Sequence, residues 1–307
     1  ELLSSRNISK EVLRSFVKIT SGCNNYCSYC IVPFTRGQET SHPMTSIVKK
    51  ITEDIANGVK EITLVGQNVN SYTDPETGGR FPELLEAVAQ IKGEFWTRFV
   101  SPHPKDVNRQ MVEVMAKYKD KLCSWIHFPL QSGSTKILEL MKRTYTQSEY
   151  LEKVKMIRTI LPDVFLSSDI IVGFPGETNE DYLETRDVME KVSFSIVYSF
   201  IYSPRRYTPA ATMGDPCPLA VKQDRLEKLQ LHAKETAFKE NSRLVGKIER
   251  VLVEKKMPDG RLVAKSTGNV RVFFEGLDEL IGTFVNVRVL EASRSSVVGV
   301  LKPAESC

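Results

Sequence analysis

Between residues 16 and 201 the chain repeats one phrase six times: a short apolar run, then a stretch in which apolar residues recur at helical spacing. The runs occupy residues 16–19, 61–65, 95–100, 125–128, 164–172 and 194–201. Strands separated by helix-length connections pair in parallel, because a crossover must return the chain to the same end of the sheet. A full strand-helix barrel needs eight such units in about 250 residues. Six units therefore predict an α/β fold, a partial parallel strand-helix barrel. The run at 164–172 is too long and apolar for a solvated edge. Between the runs, Ile47, Val48, Ile51 and Ile55 share a helical face that stops at Asn57-Gly58. Later faces carry Leu84, Leu85, Val88 and Ile91, then Met111, Val114, Met115 and Tyr118. Thr146 with Glu149 forms a capping box, and Thr178 caps the next helix.

The pattern changes at Pro218, where a charged amphipathic stretch runs to Val245. Five short strand-like runs follow, at 248–254, 261–265, 270–274, 284–290 and 297–301, separated by turns such as Pro258-Asp259-Gly260 and Gly268-Asn269. Five strands in under 60 residues predict a small OB-like all-β barrel, a shape used for oligonucleotides. The expected organisation is thus a barrel over 1–215, a linking helix over 216–245 and a small β-barrel over 246–307. Residues 246–302 hold ten Lys or Arg against seven Asp or Glu, a surplus of three positive charges that assists phosphate binding without demanding it. The whole chain, at a net charge of +4, permits a polyanionic partner in the same sense.

Functional groups of a parallel barrel gather at the carboxy ends of its strands. The end of the first strand carries Cys23-Asn24-Asn25-Tyr26-Cys27-Ser28-Tyr29-Cys30, three thiols in eight residues. Three thiolates can ligate three irons of a 4Fe-4S cluster and leave the fourth open. The same spacing admits structural zinc, with His42 or Cys123 as the fourth ligand. The remaining strand ends offer Gln67, Asn68, Gln131 and Ser132 as hydrogen-bonding groups for ribose hydroxyls or an amino-acid head group, and Gly173 and Gly176 for close backbone approach. Arg143 can pair with a carboxylate. His42, His103, His127 and His232 stand apart from one another in sequence and read as structural. Cys123, Cys217 and Cys307 form no second cluster motif. No phosphate loop or dinucleotide fingerprint occurs, no apolar run is long enough to span a membrane, and the amino end is no signal peptide, so a cytoplasmic location is expected. The chain starts with Glu rather than Met, which is consistent with a fragment of a longer protein.

The pattern C-x3-C-x-aromatic-C, with Tyr29 before the last thiol, resembles the radical S-adenosylmethionine (SAM) superfamily. That resemblance implies that Cys23, Cys27 and Cys30 hold the cluster and that SAM binds its open iron. The SAM would then be split to methionine and a deoxyadenosyl radical, with Tyr29, Gln67, Asn68, Gln131, Ser132, Arg143 and Gly173 forming the SAM pocket. Further phrases resemble the methylthiotransferase branch: Gly66-Gln67-Asn68-Val69-Asn70-Ser71-Tyr72, Pro129-Leu130-Gln131-Ser132-Gly133-Ser134, Met141-Lys142-Arg143, and Gly173-Phe174-Pro175-Gly176-Glu177-Thr178. The tail resembles the RNA-binding TRAM domain.

Within the branch, the first of these phrases and Phe34-Thr35-Arg36-Gly37 resemble the tRNA enzymes that methylthiolate carbon 2 of isopentenyladenosine beside the anticodon. Sister enzymes act on threonylcarbamoyladenosine in tRNA or on an aspartate of a ribosomal protein. The implied partners are a tRNA anticodon stem-loop, SAM, and an electron donor such as a flavodoxin or ferredoxin. The family also carries an amino-terminal domain with three more cysteines and an auxiliary 4Fe-4S cluster, absent from these 307 residues. The expectation is a chain that cleaves SAM but does not complete sulfur insertion. Where the family has Arg-Pro-Gly-Thr, this chain has Arg205-Arg206-Tyr207-Thr208, and Tyr207 is a candidate for stacking on a base. The opposing class is a zinc-stabilised RNA-binding protein without turnover.

Overall fold

In the computed structural model of the chain, residues 13–214 and 217–302 are described; residues 1–12 of the lead-in, and Cys307, lie outside them. β1 (Arg14–Lys18) opens the fold. A small clamp follows, with β2 (Thr20–Ser21) paired antiparallel to β3 (Thr40–Ser41) and α1 (Val32–Arg36) in the loop between them. Alternation then sets in: α2 (Met44–Ala56), β4 (Glu61–Val65), α3 (Phe81–Ala89), β5 (Trp96–Phe99), α4 (Arg109–Lys117), β6 (Trp125–His127). It continues through α5 (Thr135–Leu140), α6 (Gln147–Ile160), β7 (Phe165–Val172), α7 (Asn179–Val192) and β8 (Ile196–Ile201). The capping boxes at Thr146 and Thr178 are both formed.

All the pairings among β1, β4 and β5 and among β6, β7 and β8 are parallel. The two triplets are stitched beside β6, where the Thr97 N–H donates to the Lys121 carbonyl at 2.7 Å and the Cys123 N–H to the Thr97 carbonyl at 3.0 Å. β1 and β8 are the two sheet edges, so the six-unit barrel stays open between them. The long apolar run of the sequence is β7, covered on both sides by neighbours, as its composition demands.

Side chains alternate across each strand. Val17, Ile62, Leu64, Phe99, Ile126, Leu166, Ile170 and Val172 go under the helices into the main core. The opposite face therefore points into the barrel. It carries Phe16, Glu61, Arg98, Trp125, His127, Ser167, Asp169, Tyr198 and Phe200.

From Leu219 to Ser242 the helix α8 packs along β8 and delivers the tail. β9 (Ile248–Lys256), β10 (Leu262–Ser266), β11 (Arg271–Phe274), β12 (Phe284–Ala292) and β13 (Val297–Leu301) close a barrel in the order β10-β11-β13-β12-β9. This is the small OB-like barrel expected, with β11 and β13 parallel.

The tail seals the amino ends of the barrel strands. Trp125 and Phe165 join one apolar cluster with Val251, Leu262 and Val287, and Trp96 packs on Phe284 with ring centroids 4.8 Å apart. A Cβ on Gly268 would lie 2.4 Å from the Phe165 ring, so only glycine permits this approach. A buried ionic knot crosses the seam: Arg98 Nε donates to Glu61 Oε2 at 2.8 Å, and its Nη1 and Nη2 donate to the Thr267 and Ser266 carbonyls at 2.9 and 2.7 Å. Arg14 bridges Glu61 to Glu254 of β9. Burial would raise the Glu61 carboxyl, but Arg98 and Arg14 outweigh it and hold the group below the usual carboxylate range.

Candidate metal and cofactor site

The three-thiol loop is held from three sides. The Cys23 N–H donates to the Gly37 carbonyl at 3.2 Å, inside the β2–β3 clamp. Gly22 sits at φ 75°, and a Cβ there would stand 2.1 Å from the Gln38 carbonyl oxygen, so the clamp needs glycine at that turn. Ser28 ties the far end to the end of α5: its N–H donates to the Met141 carbonyl at 3.0 Å and its hydroxyl to the Leu140 carbonyl at 2.7 Å. Tyr29 stands edge-on to Phe174, at 6.4 Å between ring centroids.

Cys23, Cys27 and Cys30 share the wall of one cavity of about 450 Å³ at the carboxy ends of the strands. Tyr29, Gln67, Gln131 and Arg143 stand on the same wall, so seven of the ten residues proposed from sequence are brought together. Gln131 holds φ 68° and Ser101, also on the wall, φ 63°. Side chains larger than glycine adopt this conformation at a cost that the surroundings must offset, and such strain concentrates at functional sites. For Gln131 the surroundings are β7, whose Asp169 carbonyl and Ile171 N–H take both of its backbone groups.

Asn68, Ser132 and Gly173 do not reach the wall. Asn68 turns inward, donating to Asp106 Oδ2 at 2.8 Å and accepting from the His103 N–H at 3.2 Å. Ser132 pairs with Thr185 Oγ1 at 3.3 Å and caps the Ser134 N–H, and a Cβ on Gly133 would meet Thr185 Cα at 2.5 Å. That phrase is packed onto α7 rather than onto a ligand. Gly173, at φ 69°, donates its N–H to Glu177 Oε1 at 3.0 Å, and Glu177 pairs with the buried Arg225 of α8 at 2.5 Å. It anchors the linking helix. Tyr207 is 80% exposed at φ 69° and is not on the cavity wall.

Two wall residues escaped the sequence reading. His127 and Asp169 lie 42 positions apart but on adjacent parallel strands, and His127 Nε2 stands 3.2 Å from Asp169 Oδ2 while Nδ1 stands 3.0 Å from Ser167 Oγ. His103 is a second histidine on the wall. It lines the cavity, and burial, reinforced by Arg143, Lys105 and Lys153, lowers its pKa to about 2. Its Nδ1 accepts from the Lys105 N–H at 3.2 Å, which leaves the proton on Nε2 of a neutral ring.

A histidine whose folded pKa lies below its unfolded value is protonated only in the unfolded chain, so it removes stability as pH falls below about 6.5. His103→Gln is expected to flatten the acid limb of urea-unfolding stability between about pH 3 and 6 by up to one proton of slope. An unchanged slope would place a protonatable imidazole there instead.

The wall suits an anionic metal cluster. Burial pushes the Cys23 and Cys30 thiols up, and the neighbouring thiols push the same way, so thiolates at this spacing call for a cation. Arg143, 8% exposed, donates from Nη1 to Cys27 Sγ at 3.5 Å, from Nε to Tyr145 Oη at 3.0 Å and from Nη2 to the Pro129 carbonyl at 3.4 Å. None of these partners is a carboxylate. Burial opposes its charge, but Tyr145, Tyr29 and Cys27 together raise its pKa, so a full positive charge faces the thiols. Gln67 Oε1 is buried without a hydrogen-bond partner among the described residues, an acceptor suited to a ligand's donor.

The fourth zinc ligands considered above do not fit. Cys123 packs with Trp96 and Leu252 at the opposite end of the barrel, its thiol pushed up to about 12 by burial. His42 is not on the cavity wall. Among the described residues no three His, Cys, Asp or Glu are grouped around a single-ion site.

The sequence profile of the Radical SAM superfamily matches residues 17–189, and that of the TRAM domain matches residues 242–302. The tRNA-2-methylthio-N(6)-dimethylallyladenosine synthase of Fusobacterium nucleatum is 44% identical over 286 residues, covering 92% of this chain and 66% of the relative. The proteins of the same name from Bdellovibrio bacteriovorus and Caldicellulosiruptor saccharolyticus are 45% and 44% identical, covering 91% and 94% of this chain and 61% and 62% of their own lengths. The chain thus spans about two thirds of these curated relatives. Among solved structures, the radical SAM methyltransferase TsrM from Kitasatospora setae, with cobalamin and a [4Fe-4S] cluster bound, superposes with a TM-score of 0.54 at 15% identity, over 64% of this chain and 38% of its own. Coproporphyrinogen III oxidase (HemN) from Escherichia coli does so at 0.52 and 11% identity, over 92% and 68%. These two share the fold.

Proposed function

The chain belongs to the radical SAM superfamily, and from that premise we propose that it is the SAM-cleaving and RNA-docking part of a tRNA methylthiotransferase acting on carbon 2 of an N6-dimethylallyladenosine. The observation that carries this reading is the cavity wall itself, where three thiols of one loop face a buried cation that has no carboxylate partner. Cys23, Cys27 and Cys30 would hold a 4Fe-4S cluster, with SAM against Tyr29, Gln67, Gln131 and Arg143. Bound there, cluster and SAM supply a one-electron means of removing an unreactive hydrogen, together with a methyl donor.

The chain's own groups set the conditions for that chemistry. Arg143 places a fixed charge against Cys27, and charge and hydrogen bonds to the sulfurs are what tune such a cluster. The neutral His103 offers an N–H without adding a second cation beside Arg143. The His127–Asp169 pair gives a hydrogen-bonding edge for a heteroaromatic base turned out of an RNA loop. Reducing equivalents would come from a flavodoxin or ferredoxin, in the cytoplasm. Among the described residues no helix is long and apolar enough to cross a membrane.

The relatives' shared name favours a tRNA acceptor over a ribosomal-protein aspartate. Competition between a dimethylallyl-modified anticodon stem-loop and a ribosomal-protein peptide for the reconstituted chain tests this choice. RNA binding unaffected by excess peptide is expected. Displacement of the RNA by the peptide would reverse the assignment.

A further inference from the structure

Two of the large apolar side chains left exposed stand inside the barrel beside the cavity rather than on its outer surface. Tyr198 is 46% and Phe200 53% exposed, both on the inward face of the edge strand β8. Register sets Tyr198 beside Asp169 and Phe200 beside Ile171, and the Tyr198 ring meets His127 at 6.0 Å between centroids. His127 and Asp169 line the cofactor cavity, so the polar wall of that cavity passes directly into an aromatic one. Beyond Tyr198 a groove of about 510 Å³ follows β8 between α8 and the turns of the small barrel.

We infer that Tyr198 and Phe200 form the wall that receives the apolar N6 substituent of the target adenosine and select it against a charged one. This rests on the function proposed above. A dimethylallyl group has five carbons and no polar atom, and it needs an apolar surface next to the groups that hold the purine. The wall offers that surface one strand from Asp169 and two from His127. A threonylcarbamoyl group in the same place would bring its carboxylate beside that of Asp169 and over two aromatic rings, while the cations that line the groove, Lys234 and Arg294, stand on α8 and in the β12–β13 turn rather than on β8. Discrimination thus combines an attractive contact for one tail with a repulsive one for the other.

The test uses three anticodon stem-loop RNAs of one sequence, carrying adenosine, N6-dimethylallyladenosine or N6-threonylcarbamoyladenosine at the target position. Each is titrated against the anaerobically reconstituted 307-residue chain by fluorescence anisotropy. Covering two of the five carbons gives about tenfold tighter binding of the dimethylallyl RNA than of the adenosine RNA, with the threonylcarbamoyl RNA weakest. Tyr198→Ser combined with Phe200→Ser is expected to reduce that ratio to less than twofold, and Phe200→Leu is expected to preserve it. A tenfold ratio that survives the double substitution overturns the wall assignment alone. No preference in the unsubstituted chain overturns the proposed substrate, and the assignment with it. A change of sedimentation coefficient in the double variant, with the ratio intact, would make the groove a contact between copies of the chain and also overturn the assignment.

Discussion

Cys27→Ala is expected to remove the cluster outright: iron in the reconstituted chain falls from about four per chain to below one, and the visible absorbance of the iron-sulfur chromophore disappears. Cys27 is the thiol that Arg143 reaches, so its loss takes away both a ligand and the sulfur that receives the guanidinium. Two thiolates cannot hold three corners of a cluster. Ser28 on one side and the β2–β3 clamp on the other are tied by hydrogen bonds that do not involve the Cys27 side chain. The far-ultraviolet circular dichroism of the variant should therefore match that of the parent. Retained iron with unchanged absorbance would mean that the cluster is held elsewhere.

The largest stability effect belongs to the other end of the barrel. Arg98→Ala leaves Glu61 buried with Arg14 as its remaining ion-pair partner and takes the Arg98 donor from the Thr267 carbonyl, while the Ser266 carbonyl keeps the Asn269 N–H. Breaking a buried pair from one side typically costs about 3–5 kcal/mol, because an uncompensated charge remains. The chain's two tryptophans, Trp96 and Trp125, both stand at this junction, so intrinsic fluorescence reports it directly during urea unfolding. Arg98→Met with Glu61→Gln should recover much of the loss, since the orphaned charge is then gone. A loss below about 1 kcal/mol in Arg98→Ala would show that the apolar contacts alone, Trp96 on Phe284 and Phe165 on Gly268, hold the small barrel in place.

What could be read from the sequence was local. The six strands, the caps at Thr146 and Thr178, and the thiol loop each depend on residues within a few positions of one another, and each appears where spacing put it. Most strand ends shifted by a residue or two, those of β1, β5, β8, β9 and β12 among them, because pairing partners decide the boundary. The pocket was only partly legible because a polar side chain at a strand end can turn either way. Gln67 and Gln131 face the cavity, whereas Asn68 and Ser132 satisfy the His103 loop and α7.

His127 and Asp169 were invisible as a pair because parallel pairing joins residues more than 40 positions apart and leaves no motif. The aromatic wall was hidden for a related reason. Tyr198 and Phe200 belong to an apolar run that reads as core, and only the open edge at β8 leaves them exposed. Nor did composition announce the seal between the two barrels, since Glu61 and Arg98 look like solvated charges until the tail covers them.

The central claim is that the three-thiol cavity is a SAM-cleaving centre. Its most direct test is release of deoxyadenosine from SAM by the 307-residue chain, reconstituted anaerobically with iron and sulfide and supplied with a reductant, alongside iron and zinc per chain. About four irons and deoxyadenosine formation that vanishes in Cys27→Ala are predicted. Stoichiometric zinc in a colourless protein that leaves SAM intact would contradict the claim and make the fold an RNA-binding scaffold.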